Sequence, residues 1–352
     1  MIPPGSTIGI LGGGQLGRML ALAAANMGYR VHILAPEDEL PAGDVAAEVT
    51  RADYTDRAAL RSFAASVDVA TFEFENIEVE AVRYLSELVE VQPPARALEI
   101  AQDRLAEKRF VSGLGGRVAP FHAVDSLDDL HAAVAAIGGP VVLKTRRMGY
   151  DGKGQARIMQ PADCAAAWEA IGRQPAIAEA FVSFEVEFSL ILARAASGET
   201  VIYDTPRNRH DDGVLAESLI PAGPLIETQR AEATVLAKSV ADELDYVGVL
   251  TLEFFACADG PVFNEMAPRV HNSGHWTIEG TRASQFENHI RAVCGLPLGS
   301  TALTAPRVRM RNLLGDAVHD WQALLADNQA HLHLYGKSEI KPGRKMGHVT
   351  WL

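Results

Sequence analysis

Two acidic residues in apolar surroundings have the chemistry to bind a divalent cation together. Glu253 and Glu265 stand in two apolar segments connected by a short turn at Asp259 and Gly260. If these segments pair as antiparallel strands, the two carboxylates lie side by side, and buried like charges at that spacing need a cation. Carboxylate oxygens, with the amide of Asn264, suit Mg²⁺ that is shared with nucleotide phosphates. The alternative, an exposed hairpin with charged faces, is disfavoured because the flanking residues are apolar.

A glycine-rich segment that follows a lysine predicts a phosphate site. Lys144 ends an apolar stretch, and residues Gly149 to Gln155 contain three glycines and a second lysine. Glycines let backbone amides approach phosphate oxygens, and nearby cations neutralise the phosphate charge. The Walker A pattern G-x-x-x-x-G-K-[ST] is not present. Taken alone, the segment fits a β-hairpin with a basic tip equally well, but Lys144 and the two acidic strands favour a loop that closes over a nucleotide.

A segment between two predicted strands has the features of a nucleotide-base site. Glu179 to Val182 follow one strand in the position of a linker between lobes, and Glu187 lies on the next strand. Such a linker can offer backbone N–H and C=O groups to the edge of an adenine. Together with the acidic pair, this segment favours ATP as the nucleotide.

The first glycine motif is weaker evidence for a ligand. Gly12, Gly14 and Gly17 fit G-x-G-x-x-G between a strand and a helix, a pattern typical of dinucleotide sites. Such sites also need an acidic residue at the end of the second strand, whereas Glu37 comes after Pro36 in the following turn. Three interpretations remain: NAD or FAD, a tight turn without a ligand, or a single phosphate on the helix amides. We favour the single phosphate.

Two more acidic residues follow a predicted strand. Glu73 and Glu75 share one face, because side chains alternate along a strand. They lie near the carboxyl end of a predicted parallel strand, where open α/β sheets bind ligands. Carboxylates in an otherwise apolar region need a partner such as an amine or a hydroxyl. We therefore predict a ligand contact here, the alternative being a solvated loop edge.

Alternating helices and strands must position these residues, and they divide the chain into three regions. In residues 1–100 the alternation predicts an open parallel sheet with helices on both faces. Residues 101–182 form a small α+β region around the glycine-rich segment, with a helix expected over 101–113. Residues 183–352 form a larger region rich in strands. From about residue 301 we expect a compact, strand-rich appendix with one helix.

The composition limits the class of partner. The formal net charge of the 352 residues is −13, which argues against nucleic acids and anionic membranes because both need a basic surface. Cys164, Cys257 and Cys294 are widely spaced, which favours reduced, buried thiols over a disulfide framework. We find neither a secretory signal nor an apolar run of membrane-spanning length, so we expect a cytoplasmic protein.

Seven segments together resemble the ATP-grasp ligases and, among these, the N5-carboxyaminoimidazole ribonucleotide synthetases of purine biosynthesis. They span essentially the whole chain: 10–20, 71–77, 102–108, 144–155, 264–280, 284–297 and 335–349. The segments 264–280 and 335–349 are the most specific to this family. The resemblance implies an α/β protein with the ATP-grasp fold. Its parts would be an N-terminal Rossmann-like pre-ATP-grasp domain, a small α+β lid domain and a larger C-terminal α+β domain.

The resemblance also implies an activity and its cofactors. Proteins of this family carboxylate the amine of 5-aminoimidazole ribonucleotide (AIR) with ATP and bicarbonate. ADP and phosphate are released, and the reaction runs through carboxyphosphate or its equivalent, CO₂ plus phosphate. We therefore expect ATP and Mg²⁺ as cofactors, small-molecule substrates and a homodimer.

Site residues follow from the resemblance by position. The expected ATP contacts are Arg104, Lys144, Gly149, Tyr150, Asp151, Gly152, Lys153, Gly154, Gln155, Glu179, Ala180, Phe181, Val182, Glu187, His210, Asn264 and Glu265. The expected AIR contacts are Gln15, Leu16, Glu75, Tyr150, Asp151, Lys337, Arg344 and Lys345. The expected metal ligands are Glu253 and Glu265.

Five residues are expected to serve the chemistry itself: Asp151, Arg269, His271, Asn272 and Lys337. Arg269 can stabilise bicarbonate or the developing carboxyphosphate, and His271 and Asn272 can orient it by hydrogen bonds. Asp151 is a candidate acid or base near the substrate amine.

The C-terminal basic run suits a ribose 5′-phosphate. It comprises Lys337, Lys341, Arg344 and Lys345 and lies among glycines and a proline, which indicates a shaped turn. The alternative is a solvated tail.

Three other functions fit parts of the sequence. A ligase of the same superfamily with another acceptor is disfavoured by the segment 271–276. An NAD-dependent oxidoreductase is disfavoured by the position of Glu37 and by the second half of the chain. A nucleotide-binding regulator without turnover is disfavoured because Lys144, Glu253 and Glu265 are present together.

Overall fold

Four parallel strands form the N-terminal sheet in the computed structural model, which describes residues 1–149 and 154–352. The strands are β1 Thr7–Leu11, β2 Arg30–Ala35, β3 Glu48–Arg51 and β4 Val69–Phe72, in the order β3-β2-β1-β4. The accompanying helices are α1 Gln15–Asn26, α2 Arg57–Ala64 and α3 Val79–Ser86. Strand residues such as Ile8 and Ile10 are fully buried, as expected for a sheet covered on both faces. The predicted parallel sheet is therefore confirmed.

A smaller antiparallel sheet follows two helices, α4 Ala95–Ala101 and α5 Arg104–Gly113. Its strands are β5 Phe121–Val124, β6 Val141–Thr145, β7 Gln155–Ile158 and β8 Ala176–Ala180, in the order β5-β8-β6-β7. It is covered by α6 Leu127–Ile137, the 3₁₀ turn Pro161–Asp163 and α7 Cys164–Ala170. Ser126 caps α6 by accepting a hydrogen bond from the Asp129 amide.

The largest sheet contains the remaining strands. They are β9 Val186–Arg194, β10 Thr200–Ile202, β11 Arg207–Asp211, β12 Val214–Ile220, β13 Gly248–Cys257, β14 Gly260–Ala267, β15 Val308–Leu314, β16 Ala330–Leu334 and β17 Lys345–Trp351. The order is β14-β13-β9-β11-β12-β15-β17-β16, with β10 beside β9. The helices of this region are α8 Pro224–Glu243, α9 Thr277–Gly280, α10 Gln285–Val293 and α11 Trp321–Ala326. Shorter 3₁₀ turns occur at Gly43–Val45, Asn272–Gly274 and Gly315–Asp320.

One hydrophobic core joins the N-terminal sheet to the largest sheet. Leu20 of α1 and Ile10 of β1 belong to the same buried cluster as Ile290 of α10 and Ile191 of β9. Thr71 at the end of β4 also donates or accepts a hydrogen bond with buried His289, at 2.8 Å. The two sheets are thus fixed against each other, and residues at their boundary have defined relative positions.

Several elements differ from the sequence predictions. Strands β3 and β11 were not predicted, because they are short and rich in charged residues. The helix expected over 101–113 begins at Arg104, because Asp103 caps α5 by accepting from the Leu105 and Ala106 amides, and a separate helix, α4, ends at Ala101. The strands after residue 301 extend the largest sheet, because β15 pairs with β12. Among the described residues, no helix combines the length and apolarity that crossing a membrane requires.

Candidate active site

Two cavities share a wall to which the largest sheet, α5 and the turn after β14 contribute. The first, of about 540 Å³, lies where the N-terminal sheet faces β14 and the chain before β17. The second, of about 1100 Å³, lies between the smaller sheet and the largest sheet. Residues that border both cavities are Arg104, Glu253, Glu265, His271, Asn272 and Lys345. A group bound in one cavity can therefore react with a group bound in the other.

Two carboxylates form part of this common wall. Glu253 of β13 pairs in register with Glu265 of β14, as the sequence predicted. Burial and the negative charge of Glu265 raise the pKa of Glu253 to about 7. Burial would raise the pKa of Glu265, but the positive charge of Arg104 outweighs this effect and lowers it. Arg104 Nη1 lies 3.0 Å from Glu265 Oε2. A divalent cation would relieve the repulsion that Glu253 experiences.

The pair fits a cation that takes its other ligands from phosphates. In residues 1–149 and 154–352, no three His, Cys, Asp or Glu side chains are grouped closely enough to hold a metal ion on their own. Glu253, Glu265 and Asn264 all border the second cavity. Magnesium ions are commonly held by one or two carboxylates together with substrate phosphates, which is the arrangement these residues allow.

Lys144 stands in the second cavity beside an acidic residue of the neighbouring strand. Its Nζ donates to Glu179 Oε2 at 3.1 Å, and buried Lys108 lies 3.4 Å from the same oxygen. Although burial acts in the opposite direction, Lys144 and Lys108 hold the pKa of Glu179 at about 2. Within the described residues, Glu179 Oε1 is buried and accepts no hydrogen bond. It suits an N–H donor such as an adenine amino group.

The connector after β8 lines the second cavity as predicted, but part of its backbone is already used. The amide of Ala180 donates to Pro120 O at 2.8 Å, and that of Phe181 donates to Pro140 O at 2.9 Å. Backbone contacts to a base from this segment are therefore left to Val182 and to carbonyl groups. Phe184 and Phe255 stack nearby with ring centroids 4.5 Å apart, which gives the cavity an apolar end.

Glu187 and His210 form a charged pair on adjacent strands of the second cavity. His210 Nδ1 is hydrogen-bonded to Glu187 Oε2. Burial opposes the shift, but this bond and nearby carboxylates raise the pKa of His210. A protonated His210 beside Glu187 can donate to an oxygen of a bound nucleotide.

Arg104 connects the carboxylate pair to the glycine-rich segment. Besides Glu265, it donates from Nη2 to Gly149 O at 3.0 Å. Gly149 borders the first cavity, and Gln155 borders the second. Gly154 has φ +69°, and a Cβ there would lie 2.6 Å from Thr145 Oγ1, so this position requires glycine.

Four predicted site residues lie outside the residues that the structure describes: Tyr150, Asp151, Gly152 and Lys153. Their expected roles stay predictions from the sequence.

The first cavity contains a buried ion pair between two of the predicted residues. Arg269 donates from Nε to Glu75 Oε2 and from Nη1 to Val270 O at 2.9 Å. Although burial acts in the opposite direction, the Arg269 guanidinium lowers the pKa of Glu75. The neighbouring backbone is held by Gln102, whose Nε2 donates to Glu75 O at 2.8 Å. Glu75 is therefore a fixed carboxylate that faces the cavity.

The first glycine motif binds a carboxylate of the protein, so the favoured phosphate interpretation is wrong for these amides. The amide of Gly14 donates to Glu73 Oε1 at 2.6 Å, and that of Gly17 donates to Glu73 Oε2 at 2.8 Å. A Cβ at Gly12 would lie 2.6 Å from Glu73 Cγ. Burial raises the pKa of Glu73, while the two amides oppose this. The glycines make room for Glu73 at the helix N-terminus, and Gln15 and Leu16 border the cavity beside it.

His271 and Asn272 both border the two cavities; His271 is an uncharged imidazole, and Asn272 is a buried amide without a hydrogen-bond partner among the described residues. Burial lowers the pKa of His271 well below its usual value, so its imidazole is neutral at pH 7. Its Nδ1 is 2.8 Å from Ser273 Oγ, and its Nε2 is 3.6 Å from Glu253 Oε1. Both amide atoms of buried Asn272 lack a hydrogen-bond partner among the described residues. Buried amides rarely stay unpaired, so Asn272 is suited to bind a ligand oxygen.

Three cations border the first cavity from the C-terminal part of the chain: Lys337, Arg344 and Lys345. Lys337 Nζ donates to Lys345 O at 2.8 Å. Burial and the charge of Arg344 lower the pKa of Lys337 to about 8. Lys341, the fourth residue of the run, is exposed and ion-paired with Glu339. The three cavity-lining cations are arranged to attract a phosphate.

Sequence reasoning missed three charged residues of this region. Lys108 is 1% exposed and donates to Asn264 O at 2.6 Å. Glu107 accepts from the Met266 amide at 2.7 Å, and burial raises its pKa to about 8. Glu39 contacts the C-terminal basic segment. For Glu107 and Lys108, the sequence offered one indication: two charged residues occupy positions on the buried face of α5, beside Leu105 and Val111. No sequence pattern indicated Glu39.

Comparison with known families assigns each part of the chain. The ATP-grasp domain family matches residues 109–286, and the ribonucleotide synthetase preATP-grasp domain family matches residues 5–102. The phosphoribosylaminoimidazole carboxylase C-terminal domain family matches residues 309–352. These matches confirm the fold class that the sequence segments implied.

Individual relatives agree with the family models over the full length. The chain is 51% identical to the N5-carboxyaminoimidazole ribonucleotide synthase of Brucella melitensis over 352 residues, covering 99% of this chain and 97% of the relative. It is 49% identical to the enzyme of the same name from Pseudomonas aeruginosa, covering 97% and 93%.

Solved structures give the same result. An ADP complex of an N5-carboxyaminoimidazole ribonucleotide synthetase superposes with a TM-score of 0.96 at 42% identity, covering 100% of this chain and 93% of that one. The Aspergillus clavatus enzyme in complex with ADP and 5-aminoimidazole ribonucleotide superposes with a TM-score of 0.91 at 29% identity, covering 98% and 93%. The chain therefore belongs to the N5-carboxyaminoimidazole ribonucleotide synthetase family of ATP-grasp ligases.

Proposed function

We propose that this chain carboxylates the exocyclic amine of AIR, using ATP and bicarbonate and releasing ADP and phosphate, in purine biosynthesis. The observation that carries the proposal is the wall shared by two cavities, which includes Glu253, Glu265, His271 and Asn272. One cavity has the lysine and carboxylates of a nucleotide site, and the other has three cations for a phosphate. The γ-phosphate of ATP and the amine of AIR can then come together at the residues that border both cavities.

The second cavity would hold ATP. Lys144 would contact the phosphates, while Glu179, Val182, Glu187 and His210 would contact the base and ribose. Arg104 and Asn264 would face the phosphates, because they border the cavity beside Glu265. Glu253 and Glu265 would hold Mg²⁺, which when bound would neutralise the phosphate charge that develops during transfer.

The first step joins bicarbonate to the γ-phosphoryl group. An oxygen of bicarbonate attacks the γ-phosphorus, the bond from phosphorus to the leaving oxygen of ADP breaks, and carboxyphosphate forms. Arg269 and Asn272 would bind the bicarbonate and the acyl phosphate, since a guanidinium and an unpaired amide both donate to oxygen anions. Neutral His271 can donate or accept one hydrogen bond at the same position.

The second step forms the new carbon–nitrogen bond. The AIR amine attacks the carboxyl carbon of carboxyphosphate, or of CO₂ released from it, and the bond to phosphate oxygen breaks. The amine proton passes to a base, for which Asp151 is the candidate from the sequence. Glu75 would orient the aminoimidazole, and Lys337, Arg344 and Lys345 would bind the 5′-phosphate. For Lys337, which the resemblance also placed among the residues that serve the chemistry, we therefore propose a role in binding alone.

Two further properties stay predictions from the sequence: a cytoplasmic location and a homodimer. The location follows from the lack of a recognisable secretory signal or membrane-spanning run in the sequence, and the homodimer follows from the family resemblance. Neither is needed for the chemistry above.

Phosphate release tests the proposed function. With Mg²⁺, ATP and bicarbonate, we expect rapid phosphate release only when AIR is added, because the acceptor completes the site. Equal release without AIR, or none in its presence, would count against the proposal. Omitting bicarbonate is the matched control and should abolish the AIR-dependent rate.

A further inference from the structure

Glu39, which follows strand β2, binds the segment that carries the C-terminal cations. Its Oε1 accepts from the Ser338 amide at 2.5 Å and from Ser338 Oγ at 2.6 Å. Its Oε2 accepts from Arg344 Nη2 at 2.5 Å. Glu39 and Arg344 are separated by 305 positions in the chain. This one carboxylate therefore joins the N-terminal region to the segment 336–344 by three hydrogen bonds.

In the described part of the chain, the segment 336–344 has few hydrogen bonds to other elements besides those to Glu39: the Gly315 amide donates to Arg344 O at 2.9 Å, and Lys337 Nζ donates to Lys345 O at 2.8 Å. Most of its residues are exposed, including all of those from 338 to 343. Within it, Arg344 Nη1 donates to Glu339 O at 2.6 Å. An exposed segment with little packing is ordered mainly by its hydrogen bonds, so the three bonds to Glu39 contribute much of its order.

Arg344 can bind Glu39 and a phosphate at the same time. A guanidinium has five N–H donors, and the hydrogen bonds to Glu39 and Glu339 use one donor from each terminal nitrogen. Within residues 1–149 and 154–352, the remaining side-chain donors have no protein partner, so they can serve a ligand in the first cavity, which Arg344, Lys337 and Glu39 all border. Glu39 balances the charge of Arg344, and Lys337 and Lys345 bring two further positive charges to the same cavity.

We propose that Glu39 is a positioning residue for the phosphate of the substrate, holding Lys337 and Arg344 in the arrangement that binds it. The inference rests on the proposed function, because it assigns the phosphate of AIR to these cations. Glu39 itself does not contact the reacting atoms. Its loss should weaken binding of the phosphate and leave the chemical step intact.

Steady-state kinetics of Glu39→Ala test the proposal. We expect KM for AIR to rise at least tenfold with kcat changed less than twofold, because the cations lose their order but the reacting groups do not move. Glu39→Gln should show a smaller rise, since its amide oxygen still accepts from Ser338. Asp38→Asn, which removes an exposed charge from the same segment, is the control and should match the wild type.

The opposite outcomes overturn the proposal. An unchanged KM means that Glu39 has no role in binding, and a lower KM means that it competes with the phosphate for Arg344. A lower kcat at unchanged KM would place its effect on the chemistry.

Binding of ribose 5-phosphate without ATP separates this inference from the proposed function. Calorimetry should show that Glu39→Ala weakens binding at least tenfold, even if the wild type fails to carboxylate AIR. Equal affinity of the variant and the wild type would refute the role of Glu39. Absence of binding to the wild type would refute the phosphate site as well.

Discussion

Glu253 and Glu265 stand opposite each other on β13 and β14, and they differ in their neighbours. Glu265 is paired with Arg104 at 3.0 Å, whereas His271, whose Nε2 lies 3.6 Å from Glu253 Oε1, is neutral. This difference explains why the pKa of Glu253 is raised to about 7 while that of Glu265 is lowered. A bound divalent cation would favour the ionised form of both.

Replacing Glu265 should separate activity from stability. Glu265→Gln should lower kcat by about a hundredfold or more, because a carboxylate that holds the cation on the phosphates is lost. The melting temperature should stay within a few degrees, since the substitution also removes repulsion from Glu253. Glu232→Gln, at an exposed position, is the control for both measurements. Near-normal turnover of the Glu265 variant would exclude a metal role for this residue.

Lys337 gives the phosphate site a pH dependence. Its pKa is lowered to about 8, so the free protein loses the Lys337 charge as the pH rises through that value. A phosphate dianion binds the protonated amine, so KM for AIR should rise as the pH increases from 7 to 9. Lys337→Arg should retain binding and lose this dependence, because arginine stays charged. A KM that is constant over this range in the wild type would contradict the assignment.

The role of a residue could be predicted where its partner lies in a segment close by in the sequence. The pairing of Glu253 with Glu265 followed from two apolar segments and one short turn. The partners of Lys108 and Glu39 lie 156 and 305 positions away, so no local pattern could predict them. Sequence reasoning also could not show that Ala180 and Phe181 already use their amides within the protein.

The turn between β1 and α1 shows how an element was predicted correctly and its ligand wrongly. The glycine spacing indicated a strand, a turn and a helix, and the structure has all three. The occupant of the helix N-terminus is Glu73, which comes from the end of β4. Strand order decides this contact, because β4 lies beside β1 in the sheet. Strands β3 and β11 were missed because charged side chains hide the apolar alternation that identifies a strand.

Substituting glycines of similar conformation should expose the contact with Glu73. Gly5 and Gly12 have φ of +93° and +101°, but only Gly12 would place a Cβ within 4 Å of another group. Both alanine variants carry backbone strain of about 1–3 kcal/mol, and Gly12→Ala adds a clash with a buried carboxylate. We expect Gly12→Ala to have the lower melting temperature by several degrees, measured by calorimetry. Equal melting temperatures would contradict the packing of Glu73 against this turn.

At the scale of the whole molecule, a shared core fixes the positions of the two cavities. Helices α1 and α10 pack in one hydrophobic cluster, which fixes the N-terminal sheet against the largest sheet. The first cavity lies at this junction, and its cations come from the far end of the chain. The fold class was predictable because the sequence segments span the whole length. The continuity of the largest sheet through β15 and β17 was not, because β12 and β15 are far apart in sequence.

Formation of the carbon–nitrogen bond tests most directly the central claim, that this chain joins the carbon of bicarbonate to the amine of AIR. The protein should be incubated with Mg²⁺, ATP, [¹³C]bicarbonate and AIR labelled with ¹⁵N in its exocyclic amine, and followed by ¹³C NMR. We predict a carbamate carbon signal split by coupling to ¹⁵N, formed in step with ADP. ADP formation without a coupled carbon signal would contradict the account.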